Sequence, residues 1–207
     1  KTVGRLHSTT PSFQPTGPTR HQWNEDRYLA NWPSYVGTNY PHLQGPWTQL
    51  IGRLEALPRT PDNYGLIHGD LHSKNFFIDG DTLQFFDTDD SHYNWFVYGV
   101  ATIFLSVAHN PICRDDPHAF VRNFARHFWT GYRSEFQLAD SEIGRLPLLL
   151  KLRQYLLLGA VLHKWDLHRL EGEKLRLVER LRRDAEDQGL PLGMNSRDWL
   201  ATFKRAN

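Results

Sequence analysis

The chain has 207 residues, of which 40% are hydrophobic and 13% aromatic, a composition that excludes an intrinsically disordered protein and fits one large globular domain. Lys and Arg number 24 against 23 Asp and Glu, so the near-zero net charge favours neither nucleic acid nor an anionic membrane as a partner. Cys113 is the only cysteine, which excludes an internal disulfide and favours a cytoplasmic location. No run of about 18 uncharged apolar residues is present, so we expect no transmembrane helix.

The first part of the chain has the apolar spacing of helices interrupted by prolines. Pro11 ends the first predicted helix, and Pro58 ends the last one before the pattern changes. Between Ser12 and Arg20, two prolines and a glycine predict a surface loop. The helices predicted in this part are Thr2–Thr10, Glu25–Val36 and Pro41–Leu57.

A change of pattern near Gly65 marks the middle of the chain. Two short apolar runs, Phe76–Ile78 and Leu83–Phe86, are joined by Asp79-Gly80-Asp81. Aspartate and glycine between short apolar runs are a strong signal for a β-hairpin. The sequence therefore predicts one small hairpin, with polar residues in the loops on either side of it.

The chain after Asp90 has helical periodicity almost throughout. Tyr93–Val107 is apolar nearly all round, which predicts a buried central helix capped by Asp90 or Ser91. The fold class we expect is mainly α with one small β-hairpin (α+β), in a single domain over residues 1–207. The later predicted helices are His118–Phe136, Ser141–His168 and Glu173–Gln188, with Trp199 near the end of the chain.

Two polar clusters flank the predicted hairpin. The first begins His68-Gly69-Asp70 and reaches Asn75 after four intervening residues, and the second places Asp87 directly after an apolar strand. Phosphoryl transfer to a hydroxyl needs a group that orients the hydroxyl proton and oxygen ligands that hold a cation against the phosphates. Asp70 suits the first role, and Asn75 and Asp87 suit the second because the hairpin between them brings them together.

These paired motifs, in this order across a hairpin, resemble those of the aminoglycoside phosphotransferase and choline kinase-like family of small-molecule kinases. The resemblance implies the C-terminal lobe of a protein kinase-like fold, and ATP-dependent transfer of a γ-phosphate to a hydroxyl of a small metabolite or antibiotic. It implies ATP and Mg²⁺ as cofactors. It assigns Asp70 as the catalytic aspartate and Asn75 and Asp87 as metal ligands. Separately from the resemblance, Asp89 is a further candidate ligand, as a carboxylate near the metal.

The resemblance also implies the residues around the nucleotide. His68 supports the catalytic loop and belongs to the nucleotide site, and Phe77 and Phe86 fall where such enzymes place the apolar floor under adenine. The residues from Lys164 to Gln188 include seven acidic and seven basic side chains. That balance disfavours a polycationic aminoglycoside as the acceptor, and the sequence does not name another.

Two departures from the family pattern qualify this interpretation. Family members usually carry an aspartate in the helix after the second motif, where it steadies the catalytic loop, but here the stretch is Tyr98-Gly99-Val100-Ala101. No glycine-rich phosphate-binding motif is present in the 207 residues either. We therefore expect the C-terminal lobe of a larger enzyme, without its N-terminal β lobe. Alone it would have little activity and would self-associate through apolar surface near Phe77 and Phe86.

Two alternative functions stay open at this point. A metal-dependent hydrolase would use His68, Asp70, His72 and Asp87, all of them common ligands of zinc or manganese, but it leaves Asn75 without a role. A non-catalytic, pseudokinase-like nucleotide-binding module is favoured by Gly99 and by the missing lobe.

Overall fold

The computed structural model describes residues 1–13, 16–17, 19–80, 82–109, 115–186 and 189–204. Helices predominate, and two small antiparallel sheets lie near the middle of the chain. The α-helices are α1 (Thr2–Thr9), α2 (Arg27–Ala30), α3 (Trp32–Tyr35), α4 (Gln44–Glu55), α5 (Phe96–Ala108), α6 (Pro117–Arg133), α7 (Asp140–Ile143), α8 (Leu146–Lys164), α9 (Gly172–Glu186) and α10 (Ser196–Lys204). The strands are β1 (Tyr64–Ile67), β2 (Phe76–Asp79), β3 (Thr82–Phe85) and β4 (His92–Trp95).

The first predicted helix is confirmed as α1, and the other two are shorter than expected. The helix predicted over Glu25–Val36 is divided into α2 and α3. Asp26 caps α2 by accepting from the backbone N–H groups of Tyr28 and Leu29. Pro33 lies in the first turn of α3, where its missing N–H cannot continue the hydrogen bonds of α2. Before α4 the chain forms a 3₁₀ turn over Pro41–Leu43.

The predicted hairpin is present, and a second sheet accompanies it. Strands β2 and β3 pair antiparallel in the register Phe76↔Phe85, with Gly80 at φ +56° in the turn. Asp81, the third residue of the predicted turn, lies outside the described residues, as do Pro15 and Pro18 of the predicted surface loop. The second sheet joins β1 to β4, also antiparallel.

The start of the central helix was predicted wrongly, because Tyr93 to Trp95 belong to β4 and α5 begins at Phe96. Tyr64 pairs with Trp95 across the sheet, and the N–H of Tyr93 donates to the carbonyl of His21. The capping prediction is wrong for the same reason. The residue at the N-cap is Trp95, whose side chain makes no capping hydrogen bond with any described residue, and Asp90 and Ser91 lie before the strand.

The helical second half follows the prediction, with breaks at glycine and proline. The segment predicted as one helix, Ser141–His168, contains α7 and α8, separated at Gly144, and Pro147 lies in the first turn of α8. A 3₁₀ turn over Leu167–Arg169 follows α8. Helix α9 ends at Glu186 among the described residues, and Gln188 lies outside them.

Helices α5 and α8 pack against each other and form the centre of the core. Trp95, Phe96 and Tyr98 are fully buried, which confirms the burial predicted for these three residues of Tyr93–Val107. By length and composition alone, α8 could cross a bilayer, but 67% of its apolar window is buried inside the protein. The burial is that of a core helix.

The place of the expected aspartate at Gly99 is filled by a ring from α1. The His7 side chain is buried, its Nδ1 lies 2.7 Å from the hydroxyl of Tyr132, and its ring stacks on Phe96. A Cβ at Gly99 would lie 3.1 Å from Nε2 of His7. Glycine at this position therefore lets the His7 ring lie against α5. Burial lowers the pKa of His7 from 6.5 to about 3.

Acid should destabilise the protein through His7. The unfolded chain binds a proton at this histidine below about pH 6.5, whereas the folded protein does not until about pH 3, so stability falls as pH falls through that window. We expect the wild type to lose about 2–3 kcal/mol more than a His7→Gln variant between about pH 7 and pH 4.5. Urea unfolding at both pH values measures this difference. Equal losses in the two proteins would contradict it.

Candidate active site

The first polar cluster lies in the loop that connects β1 to β2. Strand β1 ends at Ile67, so His68, Gly69 and Asp70 follow at the edge of the second sheet. Gly69 has φ +81°, and an added Cβ would collide with the carbonyl of Asp90 and lie 2.9 Å from Nδ1 of His92. Only glycine combines this conformation with so close an approach. The two polar loops therefore touch at Gly69.

Asp70 projects from this loop with its carboxylate held on both oxygens. Its Oδ1 forms an ion pair with Arg153 of α8, and its Oδ2 lies 3.4 Å from Nε2 of His72. The side chain is 25% exposed, so a small molecule can reach it. Burial raises the pKa of Asp70, but the charges of Arg153, His72 and His68 lower it by more, and the net shift is downward. The carboxylate is therefore ionised at neutral pH.

Asn75 is buried at 4% exposure and is fixed by the loop that contains it. Its Nδ2 donates to the carbonyl of Asp70 at 2.9 Å, and its N–H donates to the carbonyl of His72 at 3.0 Å. Because the amide nitrogen is used in this way, the amide oxygen is the side-chain atom that can coordinate a cation. The local hydrogen bond thus orients Asn75 rather than excluding it as a ligand.

The second polar cluster is tied to the first through the backbone of Phe86. The Phe86 N–H donates to the carbonyl of Asn75 at 3.1 Å, and Nε2 of His68 lies 3.0 Å from the carbonyl of Phe86. Asp87 follows, exposed and at φ +60°, a conformation that aspartate tolerates better than most residues. These two hydrogen bonds bring the loop of Asp87 beside the loop of Asp70 and Asn75.

A metal site here would use one amide and one carboxylate from the protein. Among the described residues, no group of three His, Cys, Asp or Glu side chains has the arrangement of a metal site. His68 is buried with Nε2 at the Phe86 carbonyl, and His72 lies beside Asp70. The four residues of the hydrolase alternative therefore do not converge on a common point. Asn75 and Asp87 fit a cation that keeps water and phosphate oxygens as its other ligands.

The hairpin presents an aromatic surface next to these loops. Phe77 is 65% exposed and stacks on Phe86 with ring centroids 4.6 Å apart. Ile78 beside it is also exposed, so the apolar surface expected at Phe77 is present. A flat aromatic base can stack on such a surface. Self-association through this surface stays a prediction.

The structure gives contacts for two further predicted site residues, His68 and Asp89, without testing their predicted roles. His68 is a buried support of the loops, as the resemblance implies, and its side chain does not contribute to the exposed aromatic surface. Asp89 has an exposed side chain, and its backbone carbonyl accepts from Arg20 at 2.9 Å. Its role as a further metal ligand stays a prediction.

The residue that sequence reasoning missed is Arg153. In the sequence, Arg153 is a charge within the otherwise apolar stretch Leu146–Leu162, inside a predicted helix. A charged side chain in such a stretch needs a partner if the helix is buried, and this was the available signal. The partner, Asp70, is 83 positions away in the chain, and nothing local to Arg153 identifies it.

Comparison with known proteins decides the family. Residues 1–137 match the family model described as the phosphotransferase enzyme family. The chain belongs to this family. Within it, an amicoumacin kinase of Bacillus subtilis (strain 168) is 34% identical over 193 residues, which are 92% of this chain and 57% of that protein.

Solved structures of small-molecule kinases show the same kinase-like fold. An amicoumacin kinase in complex with AMP-PNP, Ca²⁺ and Ami superposes with a TM-score of 0.85 at 29% identity, over 94% of this chain and 59% of that one. A microcompartment-associated aminopropanol kinase superposes with a TM-score of 0.63 at 23% identity, over 100% of this chain and 63% of that one, and shows the fold alone. The chain therefore spans somewhat more than half the length of these relatives.

The close approach at Gly69 predicts that alanine variants of two glycines differ widely in their free energy of unfolding. Both Gly69 and Gly80 have positive φ, but a Cβ at Gly80 meets no described atom within 4 Å. We expect Gly80→Ala to cost about 1 kcal/mol from backbone strain alone, and Gly69→Ala to cost about 3 kcal/mol or more because the loops must also separate. Urea unfolding measures both costs. Equal costs would show that the loops are not in contact at Gly69.

Proposed function

We propose that the protein containing these 207 residues is a kinase that transfers the γ-phosphate of ATP to a hydroxyl of a small molecule. The observation that supports the proposal is the joining of two loops through the backbone of Phe86, since Asp70 and Asn75 lie in one of these loops and Asp87 directly follows Phe86 in the other. The carboxylate, amide and second carboxylate are the groups that phosphoryl transfer requires.

Asp70 orients the acceptor in this mechanism. Its ionised carboxylate accepts a hydrogen bond from the acceptor hydroxyl and directs the hydroxyl oxygen towards the γ-phosphorus. A bond forms between these two atoms, the bond from the γ-phosphorus to the bridging oxygen breaks, and ADP leaves. Because the pKa of Asp70 is lowered, it is a weak base. Its contribution is mainly orientation, and the hydroxyl proton passes to it or to water as the new bond forms.

Asn75 and Asp87 are the residues that would hold a divalent cation, for which we propose Mg²⁺. A bound cation neutralises charge on the phosphates as the transfer proceeds. The relative solved with AMP-PNP and Ca²⁺ supports a nucleotide and a divalent cation as ligands here. Phe77 and Phe86 offer the surface on which the adenine would lie.

Two further parts of the proposal concern the acceptor and the groups that hold the phosphates. We propose a hydroxyl-bearing antibiotic or metabolite, which is supported by the two amicoumacin kinases among the relatives. The 207 residues contain no glycine-rich phosphate-binding motif, and the relatives are longer. We therefore propose that groups gripping the phosphates come from sequence outside these residues, and activity is to be measured on the protein in its longest natural form.

Asp70→Asn should abolish transfer without abolishing nucleotide binding. The amide keeps the shape of the side chain but has no negative charge, so it is a poorer hydrogen-bond partner for the hydroxyl of the substrate. We expect kcat to fall by roughly 10²–10⁴-fold while the Kd for ATP changes little. The rate of ADP release, with an acceptor found by screening hydroxyl-bearing metabolites and antibiotics, measures kcat. Calorimetry measures the Kd for ATP. Asp62→Asn, in an exposed turn before β1, is the matched control. Undiminished transfer in Asp70→Asn would show that Asp70 is not the catalytic aspartate, and nucleotide binding without any transfer by the wild type would favour the non-catalytic module.

The cation ligands are tested by the concentration of Mg²⁺ that half-saturates the rate. Asp87→Asn removes one charge from the ligand set, so this concentration should rise by about tenfold or more. Asp89→Asn should change it less, since the described contacts of Asp89 are made by its backbone. The rate is followed as Mg²⁺ is varied at saturating ATP. A larger effect at Asp89 than at Asp87 would reassign the ligand.

A further inference from the structure

Arg153 is a charged residue in the interior of α8. It is 8% exposed, and its neighbours Leu152 and Gln154 are fully buried. A buried guanidinium without a partner costs several kcal/mol, so the groups around it determine whether it is tolerated. Two of those groups, the carboxylate of Asp70 and the carbonyl of Gly69, belong to the loop that carries Asp70.

One guanidinium holds two parts of that loop. Its Nη2 forms the ion pair with Oδ1 of Asp70, and its Nη1 approaches the carbonyl of Gly69 at 3.5 Å. The buried phenol of Tyr98, in the first turn of α5, is a further electrostatic neighbour of Arg153. The planar fork of an arginine can fix a carboxylate and a backbone carbonyl together, which a lysine cannot do equally well.

This contact leaves one face of the carboxylate usable. Oδ1 of Asp70 is directed into the protein, whereas Oδ2 is on the side of His72, which is itself 30% exposed. An acceptor hydroxyl approaching from solvent therefore meets Oδ2. The orientation of that oxygen depends on what holds Oδ1.

We propose that Arg153 is a positioning residue, which fixes the rotamer of Asp70 and the Gly69–Asp70 backbone so that Oδ2 faces the acceptor hydroxyl. This inference rests on the proposed function. It adds a residue from the opposite half of the chain to the site, and it makes α8 the support of the catalytic loop.

A structural role and a positioning role have different consequences. Removing one partner of a buried ion pair destabilises the fold, which is the structural effect, and the carboxylate left without its partner can also adopt other rotamers. A misplacement of about 1 Å can cost about 100-fold in rate. Arg153→Met should therefore lower kcat by about 10–100-fold with the KM for ATP within about twofold of wild type. Arg153→Lys, which keeps the charge but not the fork, should recover part of the loss.

Chemical rescue of activity tests whether the charge and shape of the guanidinium matter for catalysis, apart from any effect on stability. Arg153→Ala leaves a space for a guanidinium ion, so added guanidinium at a non-denaturing concentration should restore several-fold activity. Urea has the same planar shape without the charge and should not restore it. Lys151→Met is the matched control: Lys151 lies on the same helix and donates to the carbonyls of Asp184 and Gly189, away from the loop. It should lower stability without lowering kcat.

The outcomes distinguish this inference from the proposed function. If the wild type transfers phosphate and Arg153→Met keeps its kcat within about twofold, the positioning role is wrong and the kinase stands. Equal effects of guanidinium and urea would also overturn it. If no acceptor is phosphorylated, the proposed function fails, and hydrogen exchange of the 68–75 peptide still tests the contact. Exchange there should quicken in Arg153→Met and not in Lys151→Met, and unchanged exchange would overturn the inference.

Discussion

The backbone of Phe86 is the constraint on which the site depends. Its N–H and its carbonyl are both used by the other loop, one by Asn75 and one by His68. A residue whose N–H and carbonyl are both hydrogen-bonded to one partner loop cannot move without breaking at least one of these bonds in a partly buried place. The separation between the two acidic loops is therefore set by the Phe86 backbone, and Asp70 and Asp87 project from a fixed frame.

Helix packing supplies the second half of that frame. Helix α8 packs on α5 in the core, and the same helix carries Arg153 to the loop of Asp70. The guanidinium of Arg153 therefore ties the carboxylate of Asp70 to a close-packed, rigid interior. A site built in this way is held between a hairpin and a core helix, and neither element alone would orient all of its groups.

Local signals in the sequence were sufficient for the hairpin and for the polar loops. Asp79-Gly80 between two apolar runs predicts a turn that depends only on neighbouring residues, and strands β2 and β3 pair on either side of it as expected. The pairing of β1 with β4 was missed because its partners are about thirty positions apart and β4 continues directly into an apolar helix, so its pattern resembles the helix. The ion pair of Arg153 was missed for the same reason: a contact across 83 positions has no local signature. What the sequence does show is that such a buried charge needs a partner.

The contact of the His7 ring with Gly99 limits which substitutions positions 7 and 99 can accept. A side chain at position 99 would begin 3.1 Å from the imidazole, so the aspartate usual in related sequences cannot return without displacement of that ring. The same aspartate would meet a histidine placed to pair with it, provided that α1 moved outward by a few tenths of an ångström. Positions 7 and 99 are thus coupled, because the effect of a substitution at one depends on the residue at the other.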